Sequence, residues 1–507
     1  MNLTQSLLNP AAYPHPVKTI EIIETHISWI FLTGKFAYKI KKAVKFDFLD
    51  FSTLEKRRFY CEEELRLNRR FAPNLYLQVV PIIKTKESAK INGDGEPIEY
   101  AVQMRQFSAN QLLSEMANQG RLKTEIIDSL ADLTADFHRH ANVDISANCY
   151  GTEAEIHHWF SGNFAEMRPF LKLTKLEGWG EQELSKNARL IQQRKQHGFV
   201  RECHGDLHLG NIVLFENRVT PFDSIEFNPA LRWIDVMNEI AFVVMDLLQR
   251  DFKVFATRFL NRYLSQTGDY QGLELLRYYL VYRALVRAKI ALLRWQQHKN
   301  QQDFFEAQNY VTLTECFIMP KTPLLLITHG FSGSGKSTVS AQLAENFGLI
   351  HLRSDVERQR LFEKTQNQDI YSTKCSQKTY QKLENFATTI LNAGFSVLID
   401  ATFLKLEQRA MFQKLAAEQN VKFLILDFHA TKEELNDRIL QRQQRGNDVS
   451  EATLAVLEQQ LRTAQPLSFA EQNNVIQIDS TADALKKLLH HFQGEHHDTT
   501  RKLYSLV

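Results

Sequence analysis

Short runs rich in β-branched and aromatic residues open the chain: TIEIIET (19–25), ISWIFLT (27–33) and FAYKIKK (36–42). They predict strands, with Gly34-Lys35 as the turn between the last two. From Ser52 the spacing becomes helical. Ser52 and Thr53 are candidate caps, Glu55 follows, and Tyr60, Glu64, Leu67 and Phe71 recur on one face as far as Pro73. LYLQVVPIIK (75–84) and EYAVQMRQF (99–107) predict two further strands, joined through Asn92-Gly93-Asp94-Gly95, a hairpin signal. From Ser108 to about Ile318 the pattern is mostly helical. The exception is HGDLHLGNIVLFENRVTPFDSIEF (204–227), where loop residues alternate with short strand runs. This predicts an α+β part: a small sheet with one helix, then a larger helical lobe, with a cleft between them.

Pro320 and Pro323 punctuate the chain, and the pattern changes again. LLLITHG (324–330), LIHLR (349–353), FSVLID (395–400), KFLILDF (422–428) and VIQID (475–479) are continuous apolar runs alternating with helical segments. Such strands are buried on both faces, which predicts a parallel, doubly wound α/β sheet. The expected domains are therefore 1–319 and 320–495, followed by a polar tail over 496–507. No internal repeat or low-complexity tract interrupts them.

Length and composition agree with this division. The 507 residues exceed one ordinary domain, and 44% hydrophobic with 24% charged residues excludes a wholly disordered or collagen-like chain. With 61 basic and 59 acidic residues the net charge is +2, which demands neither a nucleic acid nor a membrane partner. Cys61, Cys149, Cys203, Cys316 and Cys375 are scattered without a CxxC pair. That argues against a disulfide framework or zinc site and fits a reducing compartment. The N-terminus lacks the basic start and apolar run of a signal peptide, and no stretch reaches 18 apolar residues. A cytoplasmic location is expected.

Candidate chemistry is concentrated in two places. GFSGSGKS (330–337) fits G-x-x-x-x-G-K-[ST] between a predicted strand and an amphipathic helix. Gly330, Phe331, Ser332, Gly333, Ser334, Gly335 and Thr338 would offer backbone N–H groups to phosphate oxygens at a helix N-terminus. Lys336 would reach the β and γ phosphates, and Ser337 would ligate Mg²⁺. Asp400, at the end of a buried strand, is a second metal carboxylate. Asp355 and Arg358 lie one helical turn apart after the second strand. One can deprotonate an acceptor hydroxyl while the other holds an anionic group. Arg438, Arg442 and Arg445 line one helix face that can close over the phosphates.

In the first part, CHGDLHLGNIVLF (203–215) sets Asp206 and Asn211 five apart on a glycine-bearing loop. Asp223 follows twelve residues later. An Asp for the acceptor hydroxyl, with an Asn and an Asp for metal, is the set kinase-like phosphotransferases use. HGDxHxGN resembles the catalytic loop of the aminoglycoside and choline phosphotransferase family, and FDSIEFN stands where that family carries its metal-binding segment. The resemblance implies a protein-kinase-like bilobal fold. Its lysine on the third strand would be Lys39, with Lys41 as runner-up, paired with Glu64 or Glu63. Met104, followed by Arg105 and Gln106, would be the hinge that binds adenine through backbone atoms. No glycine-rich loop occurs in the first hairpin; His26 and Ser28 are candidates for phosphate contact there, or His26 is structural. Asp235 and Glu239 are expected to stabilise the catalytic loop.

The second part resembles the small P-loop kinases grouped with polynucleotide kinase, zeta toxin, gluconate kinase and shikimate kinase, on GFSGSGKS, SDVER, LIDAT and RILQRQQR. The resemblance implies that Asp355 is its general base. The order of the two parts resembles bacterial fused proteins described as bifunctional predicted kinases. It implies two sites for ATP and Mg²⁺, each phosphorylating a small hydroxyl-bearing acceptor. Alternatives are that the P-loop part is a polynucleotide 5′-hydroxyl kinase, or an ATP-gated regulatory ATPase.

Overall fold

A computed structural model describes residues 2–46, 49–85, 88–363, 370, 372–445 and 452–493. The expected tail over 496–507, Gly446 and the side chain of Arg445 lie outside the described residues. The chain divides into two compact units. The first comprises Met1–Ser129, Phe137–Ile156 and Arg189–Val243; the second comprises Leu130–Asp136, His157–Ala188 and Val244–Val507.

The first unit is built on an antiparallel sheet of β1 (Glu21–Glu24), β2 (Ser28–Leu32), β3 (Phe36–Lys41), β4 (Tyr76–Lys84), β5 (Ala89–Ile91) and β6 (Pro97–Arg105), in the order β1-β2-β3-β6-β4-β5. The three-residue β5 is too short to leave a pattern in the sequence. Asn92–Gly95 accordingly turns from β5 into β6, and does not join 75–84 directly to the next strand as expected. Helix α1 (Leu54–Asn68) starts at Thr53, whose hydroxyl accepts from the Lys56 N–H at 3.3 Å. It stops short of the expected Pro73, because the chain tightens into three-residue turns at Arg70 and Phe71.

Alternation decides what each sheet face carries. Tyr38 and Ile40 point into a core with Phe31, Val80 and Ile82. The N-terminal residues Leu7, Ala12 and Tyr13 close that core, a covering that the sequence pattern did not reveal. Ala37 points the other way, toward Cys61 of α1, Val102 and Met104. Lys39 and Lys41 share this second face. Further on, β7 (Val200–Glu202) pairs with β10 (Trp233–Asp235), and β8 (Ile212–Phe215) forms a hairpin with β9 (Arg218–Pro221); helix α2 (Val236–Gln249) follows.

The second unit contains helices α3 (Lys253–Thr267) and α4 (Leu273–His298) and a parallel sheet. Its strands are β11 (Leu324–His329), β12 (Ile350–Arg353), β13 (Val397–Asp400), β14 (Lys422–Phe428) and β15 (Val475–Ile478), in the order β12-β13-β11-β14-β15. Leu325, Leu326, Ile327, Val397, Leu398 and Ile399 are all fully buried, as both faces of a covered sheet require. Helices α5 (Lys336–Phe347), α6 (Ser354–Phe362), α7 (Thr373–Asn392), α8 (Lys432–Arg445) and α9 (Leu454–Thr463) connect or flank the strands. Segments from before residue 320 also pack here. Asn261 of α3 donates to Leu349 O and accepts from the His351 N–H, both at 2.9 Å, and Arg258 pairs with Glu345 at 2.6 Å.

Candidate active sites

The first site grows from the face of β3 that meets α1. Glu64 is fully buried there, where an unpaired carboxylate would be costly. Its Oε1 pairs with Lys39 Nζ at 2.9 Å and its Oε2 with Lys41 Nζ at 2.7 Å. The alternatives left open by the sequence thus resolve geometrically: both lysines use Glu64. Glu63 turns instead to Arg66 and Arg232, at 2.7 Å each. Lys39 also pairs with Asp223 at 2.5 Å, and Lys41 with Glu226. Burial alone would push the Lys39 ammonium down, but the carboxylates of Asp223, Glu64 and Glu226 outweigh it and hold it well above its usual value. Glu64 is held low by the two lysines despite its burial.

Asp223 lies two residues beyond β9 at φ 63°, a conformation few non-glycine residues adopt. Its N–H donates to the Tyr76 hydroxyl at 3.1 Å, and the Ser224 N–H donates to Asn68 Oδ1 at 2.9 Å. These bonds fix the segment beside Lys39. Asn211 Nδ2 donates to the Asp206 carboxylate at 2.8 Å and to its carbonyl at 3.0 Å, so the five-residue spacing folds into a closed loop. Gly205, at φ 89°, leaves no space for a side chain: a Cβ would meet Leu231 O at 2.8 Å. Glu239 accepts from the His204 and Gly205 N–H groups at 2.6 and 3.0 Å. Asp235 instead pairs with Arg194 at 2.7 Å. His204 Nε2 donates to Phe222 O at 2.9 Å, tying this loop to the segment that carries Asp223.

Two other sequence candidates, Ser28 for phosphate and the backbone of Met104 for adenine, lie in the same sheet. Ser28 is fully buried opposite Lys41, so it offers no phosphate contact. Met104 stands opposite Ala37 in the ladder with its side chain in the core. Tyr76, Asn68 and Glu226 were missed by sequence reading. Only Glu226 left a signal, its spacing of three from Asp223. His138, Cys203 and Glu239 also cluster, with ligand atoms within 4.8 Å of one another. Glu239 is engaged by the loop, however, and burial raises the Cys203 thiol well above its usual value, which makes the trio a poor metal site.

The second site surrounds the loop after β11. Gly330 (φ 146°) and Gly333 (φ 88°) admit no side chain, since a Cβ would meet Phe428 O at 2.8 Å or Leu435 O at 2.9 Å. Gly335 caps α5. Lys336 is buried and donates to Phe331 O at 2.6 Å and to Ser334 Oγ at 3.3 Å. Burial pushes its ammonium down to about 8, a shift that Asp400 and Asp355 only partly oppose. Asp400, buried at the end of β13, accepts from the Ser337 hydroxyl. Against its burial, His351 and Arg353 hold it at about 2. Those two partners come from β12 and were not anticipated.

Asp355 and Arg358 on α6 pair at 2.9 Å. Both line a cavity of about 660 Å³ together with Lys336, Ser337, Thr338 and Asp400. Arg438 of α8 donates to Gly333 O at 3.4 Å, and Arg442, another lining residue, donates to Ala452 O at 2.6 Å. Gln460 of α9 accepts from the Ser332 N–H and donates to its hydroxyl, both at 3.0 Å. A hydroxyl beside a low-pKa carboxylate suits a hard divalent cation, and the glycine loop with its adjacent lysine suits phosphate.

Residues 325–467 match the family described as AAA domain. Proteins described as uncharacterized in Mycobacterium tuberculosis and Mycobacterium bovis are 28% identical over 461 residues, 87% of this chain and 91% of theirs. A gluconokinase from Sinorhizobium meliloti is similar over 35% of this chain and 99% of its own, at 16% identity and a TM-score of 0.27. A choline/ethanolamine kinase family protein from Mesorhizobium loti is similar over 61% of this chain and 90% of its own, at 10% identity and a TM-score of 0.38. The part before residue 320 is thus an α+β fold on an antiparallel sheet, and the part after it is an α/β fold on a parallel sheet whose glycine loop falls within the stretch that matches the AAA domain model. No helix among the described residues is long and apolar enough to cross a membrane.

Proposed function

We propose that the chain is a bifunctional ATP-dependent phosphotransferase, with domains 1–319 and 320–495 each moving a γ-phosphoryl group to a hydroxyl of a small-molecule acceptor. The observation that carries this reading is the pairing of Lys39 with both Glu64 and Asp223 in a chain that also folds a glycine cradle around Lys336. In the first site Asp206, oriented by Asn211, takes the acceptor's proton as its oxygen bonds to phosphorus and ADP departs. Lys39 neutralises the phosphates, and the Met104 segment holds adenine. In the second, Asp355 is the base, Arg358 binds the acceptor, and Lys336, Arg438 and Arg442 offset charge on the transferring group. Asn211 and Asp223 in one site, and Ser337 and Asp400 in the other, would hold Mg²⁺, which would supply charge neutralisation at the phosphate oxygens.

The test incubates the full chain with labelled ATP and a bacterial metabolite extract. Asp206→Ala and Lys336→Ala are expected to remove different products, each by about a hundredfold or more. Loss of one shared product in both variants would replace independent sites by a coupled mechanism. Labelled phosphate released without any phosphorylated acceptor would assign the P-loop part to a regulatory ATPase.

A further inference from the structure

Lys41 and Glu226 take no part in the chemistry proposed above. The Lys41 side chain is 0% exposed and that of Glu226 4%, so neither can touch a ligand. Lys41 divides its ammonium between Glu64 and Glu226, with the Phe51 ring centroid 4.9 Å away. The five charged groups therefore form one unbranched chain, Asp223–Lys39–Glu64–Lys41–Glu226. One end faces solvent, since the Asp223 side chain is 43% exposed; the other is sealed inside.

This arrangement has a mechanical consequence. Glu64 has two oxygens, and each takes one ammonium. If Lys41 were absent, the carboxylate could turn both oxygens to Lys39 and draw it away from Asp223. Asp223 and Glu226 are three residues apart, so the inner pair anchors the far end of the loop whose near end meets Lys39. A buried ion pair is weak evidence for stability, because an apolar pair of similar volume often does as well or better; its attested use in some proteins is to select one geometry.

Resting on the kinase reading of this site, we infer that Lys41 and Glu226 are positioning residues, holding Glu64 and the 223–226 loop so that Lys39 and Asp223 face the phosphates and the divalent cation. Lys41 acts only through Glu64 and Glu226, and Lys39 is the lysine that meets the nucleotide.

The test uses the full chain carrying Lys336→Ala, so that nucleotide signal reports the first site. Mn²⁺ binding in the presence of the non-hydrolysable analogue AMPPNP is followed by electron paramagnetic resonance, beside thermal unfolding. Adding Lys41→Met together with Glu226→Gln is expected to weaken Mn²⁺ binding about tenfold or more, with an unfolding midpoint no lower than that of the parent. Glu226→Gln alone keeps the shape and is expected to weaken Mn²⁺ in the same direction. Mn²⁺ affinity within about threefold of the parent in the folded variants overturns the positioning role. Unfolding of both variants overturns it in favour of a purely structural one. If the Lys336→Ala parent itself binds no Mn²⁺·AMPPNP, the kinase reading of the first site falls, a result distinct from either of these.

Discussion

Burial disfavours the charged form of several single side chains here, and pH reads out the consequence. Lys336 is pushed down to about 8 by burial. An anionic phosphate beside it would raise that value again, so nucleotide binding at the P-loop draws in a proton above pH 8. Affinity is expected to fall roughly fivefold over the first pH unit above 8, and calorimetry in buffers of different ionisation enthalpy should show the uptake. Burial acts in the same direction on His138 and His204, neutral histidines pushed down to about 3. Nδ1 of His204 accepts from the Asp206 N–H at 3.3 Å, so a proton there would set donor against donor. The folded pKa lies below the unfolded one near 6.5. Their contribution is thus complete above pH 6.5 and is lost as pH falls toward 3. Thermal midpoints measured between pH 7 and 4 should decline. A flat profile would mean that these rings are hydrated.

Helix α1 is placed by an ion network at the level of elements. Glu202, at the end of β7, receives Arg66 at 2.6 Å, Arg232 at 3.3 Å and Arg70 at 3.5 Å, the first and last from α1 and the turn after it. Arg70 also donates to the Glu202 and Cys203 carbonyls at 2.7 and 3.1 Å. The helix bearing Glu64 is therefore bolted to the strand that leads into the Asp206 loop. Glu202→Ala would leave three guanidinium groups without their shared carboxylate, an expected loss of about 3 kcal/mol by denaturant titration. A loss below about 0.5 kcal/mol would mark the network as incidental.

For the chain as a whole, order in sequence and compactness in space diverge. Segments preceding residue 320 secure β12 and α6, which carry His351, Arg353, Asp355 and Arg358. Beside the Asn261 and Arg258 contacts, Tyr270 donates to Glu357 at 3.2 Å, and Arg360 donates to Ser265 O at 2.5 Å. A fragment 320–507 is accordingly expected to unfold at a lower temperature than a fragment 244–507, by roughly 5 °C or more if the lost contacts amount to a few kcal/mol. Equal midpoints would show that the parallel sheet stands without α3 and α4.

What the sequence determined by itself was local chemistry with a short reach. Alternation put Lys39 and Lys41 on one strand face, a five-residue loop joined Asp206 to Asn211, and the glycine pattern before Lys336 announced a turn no other residue could make. Tertiary structure decided the partners. It made Glu64 serve both lysines, set Glu226 behind them, brought His351 and Arg353 to Asp400, and folded residues 3–13 over a sheet face. Those outcomes depend on distances between segments far apart in the chain, and neither periodicity nor spacing encodes such distances.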